Sequence, residues 1–472
     1  MTLLQKANNF ILNNKDKVDK TYRNKFHLMA PIGWINDPNG FIFYKDQYHL
    51  FYQYYPFDSV WGPMYWGHAA SDDGVNWQDL PVALAPDKEY DRNGCFSGTA
   101  YVEDDILYLA YTGNTKENGI ERQVQCIAKS TDGINFEKLE ENPVIKDEHI
   151  EGLCLISNFR DPKLFKKDNI YYMLVATKTS KNNGQILIFT SNDLINWSKG
   201  KVFLEGDETQ GEMWECPDVF NIDGKDVLIM SPVRMPAENN NYTNHSSTIA
   251  FIGHIDWNNL KFEVENYHEI DNGTDFYAPQ TTLNKNNEQV MSAWMQMWHR
   301  TPVTHDLNHK WIGSMVLPRV LNVKGYRLTQ EPISSIYDNL KLEKIKISDT
   351  NKIGSDLNYI SFSVNKDESF NLKLVASLNE EVNLSYDTKK VKLSRENSGY
   401  KIVGNEGEDY TYRTLEINED LNLEIFIDTN SIEVFINNTY TMTFLFFKKE
   451  EQRDFILNRD LKNKDIVIGR LK

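Results

Sequence analysis

Three short acidic motifs recur at matching positions of a repeated pattern in this chain. They are residues 34–40 (WINDPNG), 159–162 (FRDP) and 213–218 (MWECPD), and each lies just before an aromatic-rich run typical of a β-strand. Carboxylates at matching positions of successive repeats can converge on one axis. Cleavage of a glycosidic bond requires such convergence, because one carboxylate acts as nucleophile while a second donates a proton.

Each of the three carboxylates also has a purely structural interpretation. Asp37 lies in an Asp-Pro-Asn-Gly stretch, which forms turns in many proteins. Asp161 follows Arg160, and most neighbouring opposite charges form ion pairs that only support structure. Glu215 could be an exposed glutamate at the end of a strand. The matching positions of Asp37 and Asp161 favour a functional role for both.

A repeat of about 60 residues positions these motifs. Residues 37, 97, 161, 216 and 278 each precede a strand-opening segment, at spacings of 60, 64, 55 and 62 residues. A polar turn and a second strand follow each of these segments. A third strand then ends in similar turn motifs at 71–77, 130–136 and 191–197, in which Asp and Gly favour turn conformations.

Five copies with several strands each predict a five-bladed β-propeller. The blades of a propeller stack radially, and their first strands line a central channel. The starts of these strands face one mouth of the channel, so residues 37, 161 and 215 are expected to meet in one pocket despite their separation in sequence.

The repeat ends after about residue 320. Polar and apolar residues then alternate with period two, as in residues 359–364 and 423–428, which favours a β-sandwich. We therefore predict an all-β chain. Residues 1–328 are expected to form the five-bladed propeller, including a short amphipathic N-terminal helix; residues 329–340 form a linker, and residues 341–472 a C-terminal β-sandwich.

Bulk composition excludes several classes of function. The 472 residues carry a formal net charge of −17 and no basic run, which argues against a nucleic-acid partner. No stretch approaches the roughly 20 apolar residues of a membrane span, and no secretory signal is visible. The four cysteines lack metal spacing, which favours reduced thiols in a cytoplasmic protein.

Other catalytic motifs find no support in the sequence. His305 and His309 are four residues apart but lie in a loop-like segment without an HExxH pattern, so a metal site is not favoured. No GxSxG motif and no glycine-rich phosphate loop is present. We therefore expect the protein to need neither a metal nor another cofactor.

Several motifs in order resemble glycoside hydrolase family 32, the β-fructofuranosidases. Residues 34–40 resemble the nucleophile motif, residues 160–162 the transition-state stabiliser motif, and residues 215–217 the acid/base motif. Further matches lie at residues 51–53, 66–68, 96–98, 277–280 and 428–437. The fold of this family is a five-bladed propeller followed by a β-sandwich, which agrees with the prediction from the repeat.

The resemblance implies a role for each candidate residue. Asp37 would be the nucleophile, Glu215 the general acid and then base, and Asp161 the transition-state stabiliser. The fructosyl subsite would contain Asn36, Gln53, Trp61, Phe96, Ser97, Arg160 and Tyr277. The implied substrate is a small sugar: sucrose, sucrose 6-phosphate or a short fructo-oligosaccharide.

Several alternatives stay open at this point. Residues Arg234, His245, His299, Arg300 and Lys310 could hold a substrate phosphate or could be solvated loop residues. An inverting propeller glycosidase acting on arabinan or xylan would also use two Asp and one Glu, and a sugar-binding propeller need not be catalytic. Transfructosylation, in which an alcohol replaces water, and the oligomeric state cannot be determined from the sequence.

Overall fold

A computed structural model describes residues 1–346, 352–405, 407–457 and 464–472 of the chain. Its few helices are short. The α-helices are α1 (Leu3–Asn14), α2 (Asp147–Ile150) and α3 (Val303–Asp306), and the 3-10 helices are Lys15–Lys17, Ile156–Asn158 and Ser334–Asn339. Thr2 caps α1, because its hydroxyl accepts a hydrogen bond from the Gln5 amide while the Gln5 side chain accepts one from the Thr2 amide.

Five antiparallel sheets occupy the chain from Gly33 to Pro332. The first contains β1 (Gly33–Tyr44), β2 (Gln47–Tyr55), β3 (Tyr65–Ser71) and β4 (Gln78–Leu84); the second contains β5 (Gly94–Glu103), β6 (Ile106–Glu117), β7 (Ile120–Ser130) and β8 (Glu137–Lys138). The third contains β9 (Phe159–Lys167), β10 (Ile170–Lys178), β11 (Gly184–Ser191) and β12 (Lys201–Glu205); the fourth contains β13 (Met213–Ile222), β14 (Lys225–Val233), β15 (Ile249–Asp256) and β16 (Lys261–Glu269).

The fifth sheet and a short parallel strand complete this part of the chain. They contain β17 (Tyr277–Leu283), β18 (Gln289–Trp294), β19 (Trp311–Ile312), β20 (Arg319–Lys324) and β21 (Arg327–Pro332). Strand β19 lies between β18 and β20 in sequence but belongs to the first sheet, where it pairs in parallel with β1, so the last part of this region is joined to its beginning.

The first strands of the five sheets form a closed ring. Strand β1 contacts β5, β5 contacts β9, β9 contacts β13, β13 contacts β17, and β17 returns to β1. Such a ring of radially stacked sheets is a β-propeller. It brings the starts of β1, β9 and β13, which carry the three acidic motifs, around one axis.

The repeated turn motifs have the predicted chemistry. One carboxylate oxygen of Asp73 accepts hydrogen bonds from the backbone amides two and three residues ahead, at 2.8 and 2.7 Å. Asp132 and Asp193 accept the same pair of bonds. The indole nitrogens of Trp77 and Trp197 then donate to carbonyl oxygens of their own turns, so the aromatic side chain closes the motif.

Two six-stranded sheets follow. Their strands are β22 (Leu340–Lys346), β23 (Lys352–Ser355), β24 (Tyr359–Val364), β25 (Phe370–Ala376), β26 (Val382–Tyr386), β27 (Lys390–Ser394), β28 (Tyr412–Glu416), β29 (Leu421–Ile427), β30 (Ser431–Ile436), β31 (Tyr440–Leu445), β32 (Asp454–Leu457) and β33 (Asp465–Leu471). The strand orders are β22-β33-β24-β29-β30-β31 and β23-β32-β25-β26-β27-β28. Apolar side chains of both sheets share one core, as alternation in the sequence predicts. The predicted all-β class, a propeller followed by a β-sandwich, is confirmed.

A buried charged network joins the propeller to the sandwich. The His27 ring lies 2.8 Å from Asp428 Oδ2 through Nδ1 and 2.8 Å from Glu433 Oε1 through Nε2. Burial opposes a charge on the ring, but the bonds to the two carboxylates outweigh it and raise the pKa of His27 to about 9. Arg319 pairs with Glu433 at 2.6 Å and with Asp271 at 2.9 Å. The network therefore fixes how the two parts are packed.

Candidate active site

Every inner strand of the propeller has a β-bulge at its motif. In each of the five, the inner strand has one residue more than its partner between two successive pairings. The inner-strand residues that lie between the two pairings flanking each bulge are 36 and 37 in β1, 97 in β5, 161 and 162 in β9, 216 and 217 in β13, and 278 and 279 in β17. Bulges redirect side chains and are frequent beside active sites. Of these bulge residues, Asn36, Asp37, Ser97 and Asp161 line one cavity.

Three of the bulges require left-handed backbone. Asp161 has φ 65°, Cys216 φ 50° and Ala278 φ 53°, a region that non-glycine residues seldom occupy. At Asp161 the freed backbone amide donates to Thr112 Oγ1 at 3.0 Å, and that hydroxyl donates to Gln125 Oε1 at 2.8 Å. The neighbouring sheet therefore holds the bulge that carries Asp161.

A cavity of about 440 Å³ opens at these bulges. Nine of the ten residues assigned to the site from the sequence line it, and the tenth, Tyr277, contacts it through Glu215. The lining residues are Asn36, Asp37, Gln53, Trp61, Phe96, Ser97, Glu121, Gln123, Ser157, Asn158, Arg160, Asp161, Glu215 and Trp298. Its volume is within the range of pockets that hold small ligands.

The Asp37 carboxylate is buried, and one of its two oxygens has a hydrogen-bond partner among the described residues. Its Oδ2 accepts a bond from Ser97 Oγ at 3.4 Å and lies 3.7 Å from the Cys216 sulfur. Its Oδ1 has no hydrogen-bond partner among the described residues. Burial, followed by the charges of Glu215 and Asp161, raises the pKa of Asp37 to about 7. One oxygen of this carboxylate is therefore held in place while the other is available for a ligand.

Asp161 and Asp37 have a neighbour in common, Cys216. The Cys216 thiol lies 3.6 Å from Asp161 Oδ2, and the Cys216 amide donates to the same oxygen at 3.0 Å. Burial raises the pKa of Asp161 to about 6; the charge of Arg160 lowers it and that of Glu215 raises it. One thiol thus contacts two carboxylates that are more than 120 residues apart in sequence.

Glu215 is held by hydrogen-bond donors on both of its oxygens. Arg160 approaches Oε1 through Nε at 3.1 Å and Nη2 at 2.5 Å, and the Tyr277 hydroxyl donates to Oε2. Gln123 Oε1 accepts from Arg160 Nη1 at 3.3 Å and from the Phe159 amide at 3.0 Å. Arg160 is therefore positioned from both sides, by a carboxylate and by an amide.

Aromatic rings form the outer walls of the cavity. Trp61 is 49% exposed and meets Phe96 edge to face, with 6.1 Å between ring centroids. Trp298 stacks on Trp34 at 5.9 Å, and the Trp34 indole donates to Asn36 Oδ1 at 2.6 Å. Exposed aromatic faces at the rim of a polar cavity suit a ligand with an apolar ring face and hydroxyl groups at its edge.

Five lining residues were not predicted from the sequence. They are Glu121, Gln123, Ser157, Asn158 and Trp298. Glu121 and Gln123 lie at the start of β7, the third strand of the second sheet, away from the turn motif that begins at residue 130. Trp298 ends a largely apolar run, residues 293–298, whose pattern indicates a buried strand more directly than a binding wall.

The five candidate phosphate-binding residues differ in burial and in contacts. Arg300 is buried, pairs with Asp275 at 2.9 Å and lies 3.9 Å from the centroid of the Tyr410 ring, so neither a phosphate ligand nor a solvated residue describes it. The rings of His245 and His299 are 4.3 Å apart. Arg234 is exposed, 3.9 Å from Glu212, and Lys310 is also exposed. Within the described residues, none of the five lines the cavity.

The described part of the chain contains no group of three or more His, Cys, Asp or Glu residues arranged to hold a metal ion. His305 Nδ1 lies 2.8 Å from Ser59 Oγ, and the His309 ring stacks on Tyr22. The four cysteines are free thiols. In the same residues, no helix has the length and apolar character needed to span a membrane.

Comparisons with known proteins agree on one family. The model described as "Glycosyl hydrolases family 32 N-terminal domain" matches residues 27–332, and that described as "Glycosyl hydrolases family 32 C terminal" matches residues 323–466. The chain is 34% identical to the sucrose-6-phosphate hydrolase of Escherichia coli, over 96% of this chain and 95% of that protein.

Two solved structures are similar over nearly their full length. The first is the GH32 beta-fructofuranosidase of Bombyx mori, with a TM-score of 0.88 and 30% identity over 99% of this chain and 98% of that one. The second is the sucrose-6-phosphate hydrolase of Lactobacillus gasseri, with a TM-score of 0.89 and 27% identity over 98% of this chain and 96% of that one.

Proposed function

Because the chain belongs to glycoside hydrolase family 32, we propose that it hydrolyses sucrose-type fructosides and releases their terminal β-D-fructofuranosyl unit. The observation that carries the proposal is the position of three carboxylates. Asp37, Asp161 and Glu215 come from three different inner strands and line one cavity. That arrangement supplies the nucleophile and the acid that a retaining glycosidase needs, and a third carboxylate beside them.

In the first step, Asp37 attacks the anomeric C2 of the fructosyl unit through its unpartnered oxygen. The bond between C2 and the bridging oxygen breaks, and Glu215 gives its proton to that oxygen. The products are a free leaving-group sugar and a fructosyl ester of Asp37. Ser97 and Cys216 hold the other oxygen of Asp37, which fixes the direction of attack.

In the second step, the ionised Glu215 takes a proton from water, and the resulting hydroxide attacks C2. The ester bond breaks and Asp37 leaves as a carboxylate, so fructose is released with retained configuration. Arg160 and Tyr277 donate to Glu215, which keeps the carboxylate aimed at the site of proton transfer in both steps.

Asp161 is assigned the role of transition-state stabiliser. Positive charge develops on C2 and the ring oxygen as the leaving group departs, and the ring flattens. A fixed carboxylate that binds the ring hydroxyls in this geometry favours the transition state over the ground state. The bulge at Asp161 and its bond to the Cys216 amide supply the required rigidity.

Two variants test the assignment. Asp37→Ala and Glu215→Ala should each lower kcat for sucrose by at least about a thousandfold while leaving the thermal unfolding temperature close to that of the wild type. Asp168→Asn changes a carboxylate whose side chain is 81% exposed and serves as the control. Nearly normal turnover in either alanine variant would contradict the assigned roles.

Product stereochemistry separates this proposal from an inverting mechanism. Proton NMR recorded during early turnover should show β-fructofuranose as the first product, since two displacements at C2 retain its configuration. The α-anomer as first product would exclude a covalent intermediate on Asp37. Addition of an alcohol to the same reaction measures transfructosylation as a fraction of total turnover.

Two substrates are supported by different observations. Sucrose 6-phosphate is proposed first, because the Escherichia coli relative, at 34% identity, is named as its hydrolase. Uncharged sucrose is favoured by charge, since Arg160 is the one cation among the described lining residues, against four carboxylates. Values of kcat/KM for sucrose, sucrose 6-phosphate and 1-kestose decide between them. A variant such as His299→Ala that lowers kcat/KM only for the phosphorylated sugar would place the phosphate beside Trp298.

The sandwich is proposed to support the cavity. Strand β21 runs to Pro332 within the fifth sheet and β22 begins at Leu340, so we propose that the catalytic domain ends at residue 332 rather than 328, that residues 333–339 form the linker, and that the sandwich begins at residue 340 rather than 341. The Asn405 amide donates to the His299 carbonyl at 2.9 Å, directly after Trp298 in the cavity wall. Loss of catalytic activity in a chain truncated after the linker, restored by adding the separate sandwich, would support this role.

A cytoplasmic location is also inferred. The four cysteines are free and three of them are buried, which suits a reducing compartment. Fractionation of cells that express the chain should place its activity in the cytoplasm, and activity in the medium would contradict the inference.

A further inference from the structure

A second cavity, of about 620 Å³, lies between the propeller and the sandwich. Its walls come from the loop after β14, the end of β16, strand β21, and strands β27, β28 and β31 of the sandwich. The lining residues are Asn239, Asn240, Asn241, Tyr242, His268, Glu269, Asn272, Arg327, Lys390, Thr414, Leu415, Glu416 and Tyr440. None of them lines the catalytic cavity.

Arg327 differs from the other charged residues around this cavity because it has no ion pair within the described part of the chain. Its guanidinium carbon lies 4.4 Å from the centroid of the Tyr440 ring. It forms no salt bridge or side-chain hydrogen bond with any residue in the described part of the chain, and its Nε is buried. The Arg327 side chain is partly exposed, so its guanidinium is accessible to a ligand that brings an acceptor.

The other charges around the cavity are already paired. Arg413 Nη2 lies 2.9 Å from Glu269 Oε2, and Lys390 Nζ lies 3.1 Å from Glu416 Oε1. Among the lining residues, Arg327 and Lys390 balance Glu269 and Glu416, so the cavity wall is neutral although the chain carries −17 overall. A neutral wall repels an anion less than the acidic surface around it, and Arg327 is the lining cation that has no ion pair among the described residues.

The rest of the wall is suited to hydroxyl groups. Three consecutive asparagine side chains (239–241) and the Thr414 hydroxyl offer both donors and acceptors. Asn272 Oδ1 is buried in the same wall without a hydrogen-bond partner among the described residues. Tyr242 and Tyr440 add ring surfaces. A bare inorganic anion would use Arg327 but would leave these groups without partners.

We propose that this cavity is a binding site for a small hydroxylated anion of the sugar-phosphate class, separate from the catalytic cavity. The anionic group lies against Arg327 and Lys390, and the hydroxylated body contacts the asparagine loop and Thr414. The loop after β14 and strands of the sandwich both contribute walls, so a bound ligand would link the two parts of the chain.

Calorimetric titration of the full chain with glucose 6-phosphate tests the proposal. Arg327→Met keeps the aliphatic contact with Tyr440 but removes the charge, and should weaken binding at least about tenfold. The matched control is Lys449→Met, which removes a cation lying 4.7 Å from the ring of Tyr400, outside the cavity. Lys390→Met, at a residue whose side chain is 43% exposed, provides a second variant whose fold is not at risk.

The expected pattern is tight binding by the wild type and Lys449→Met, and weaker binding by Arg327→Met and Lys390→Met. Glucose and inorganic phosphate should each bind more weakly than glucose 6-phosphate. Absence of binding, or equal affinity of wild type and Arg327→Met, would overturn the proposal; phosphate binding as tightly as the sugar phosphate would overturn the ligand class. Hydrolysis of sucrose, measured separately, should be unchanged in Arg327→Met, so this test does not depend on the proposed activity.

Discussion

Arg160 donates two hydrogen bonds to one oxygen of Glu215, from Nε at 3.1 Å and from Nη2 at 2.5 Å. The Tyr277 hydroxyl occupies the other oxygen, so both act as acceptors before a sugar binds. Each carboxyl oxygen has a second lone-pair position, so Glu215 can pass a proton to the leaving oxygen while its orientation stays coupled to Arg160 and Tyr277. This coupling makes Arg160 a positioning residue for the acid as well as a wall of the subsite.

Arg160→Lys should reveal that role. Lysine keeps the charge but lacks the planar fork that reaches Glu215 through two nitrogens. We expect kcat/KM for sucrose to fall about a hundredfold, as when a preorganised donor is removed. The matched control, Arg122→Lys, alters a partly exposed arginine paired with Asp147 outside the cavity and should have little effect. Equal effects of the two substitutions would contradict the role of the fork.

The fall of kcat/KM on the acid side of the pH profile (its acid limb) should report the ionisation of Asp37. The nucleophile must be ionised, and burial together with the charges of Glu215 and Asp161 raises its pKa to about 7. In the free enzyme, kcat/KM should therefore fall as the pH drops below about 7. Glu215→Gln removes one negative neighbour, which lowers the pKa of Asp37.

The test uses a fructoside with a good leaving group, which needs no general acid. With this substrate the acid limb of Glu215→Gln should lie at lower pH than that of the wild type. An unchanged limb, or one displaced to higher pH, would show that Asp37 does not control this ionisation.

Thr112→Val should loosen the bulge that presents Asp161. The Asp161 amide donates to Thr112 Oγ1 at 3.0 Å from left-handed backbone, and valine leaves this buried donor unpaired. We expect a loss of about 1–3 kcal/mol in the free energy of unfolding and a lower kcat. Thr112→Ser keeps the hydroxyl and should retain most of both. Urea unfolding and initial rates measure the two effects, and a stable variant with normal kcat would refute this mechanism of support.

His27→Gln should change how stability depends on pH. The pKa of His27 is about 9 in the folded chain against an ordinary value of 6.5. The contribution of the charged ring to the free energy of unfolding is therefore fully present below about pH 6.5 and is lost as the pH rises through about 9. The contribution is on the order of 3 kcal/mol from this difference in pKa.

Urea unfolding at several pH values should therefore show the largest difference in free energy of unfolding between the wild type and His27→Gln below about pH 6.5, and this difference should shrink as the pH rises to about 9. His254→Gln, at a histidine whose side chain is 51% exposed, should show no such trend. A gap that is constant with pH would mean that the ring is not charged in the folded protein.

Much of the architecture was predictable because it follows from local sequence patterns, namely the repeat spacing and the alternation of polar and apolar residues. The spacing of residues 37, 97, 161, 216 and 278 predicted matching inner strands, and alternation after residue 340 predicted the sandwich. Nine of the ten residues assigned to the site from the sequence line one cavity, since strand starts that face one channel mouth must come together. Their catalytic roles stay predictions that the variants above test.

Other features were not predictable, because they depend on which strands become neighbours. Gln123 supports Arg160 from the start of β7, where the sequence has no motif. Trp298 forms a wall although its sequence pattern is that of a buried strand, and Arg300 is buried against the sandwich. The Cys216 sulfur touches Asp37 and Asp161 only because three bulged strands meet. The sequence by itself determined the strands, their repeat and the three carboxylates, because these follow from periodicity and residue type. The packing of distant strands decided which atoms meet, since contacts between strands from different parts of the chain depend on sheet register, bulges and the joining of two domains.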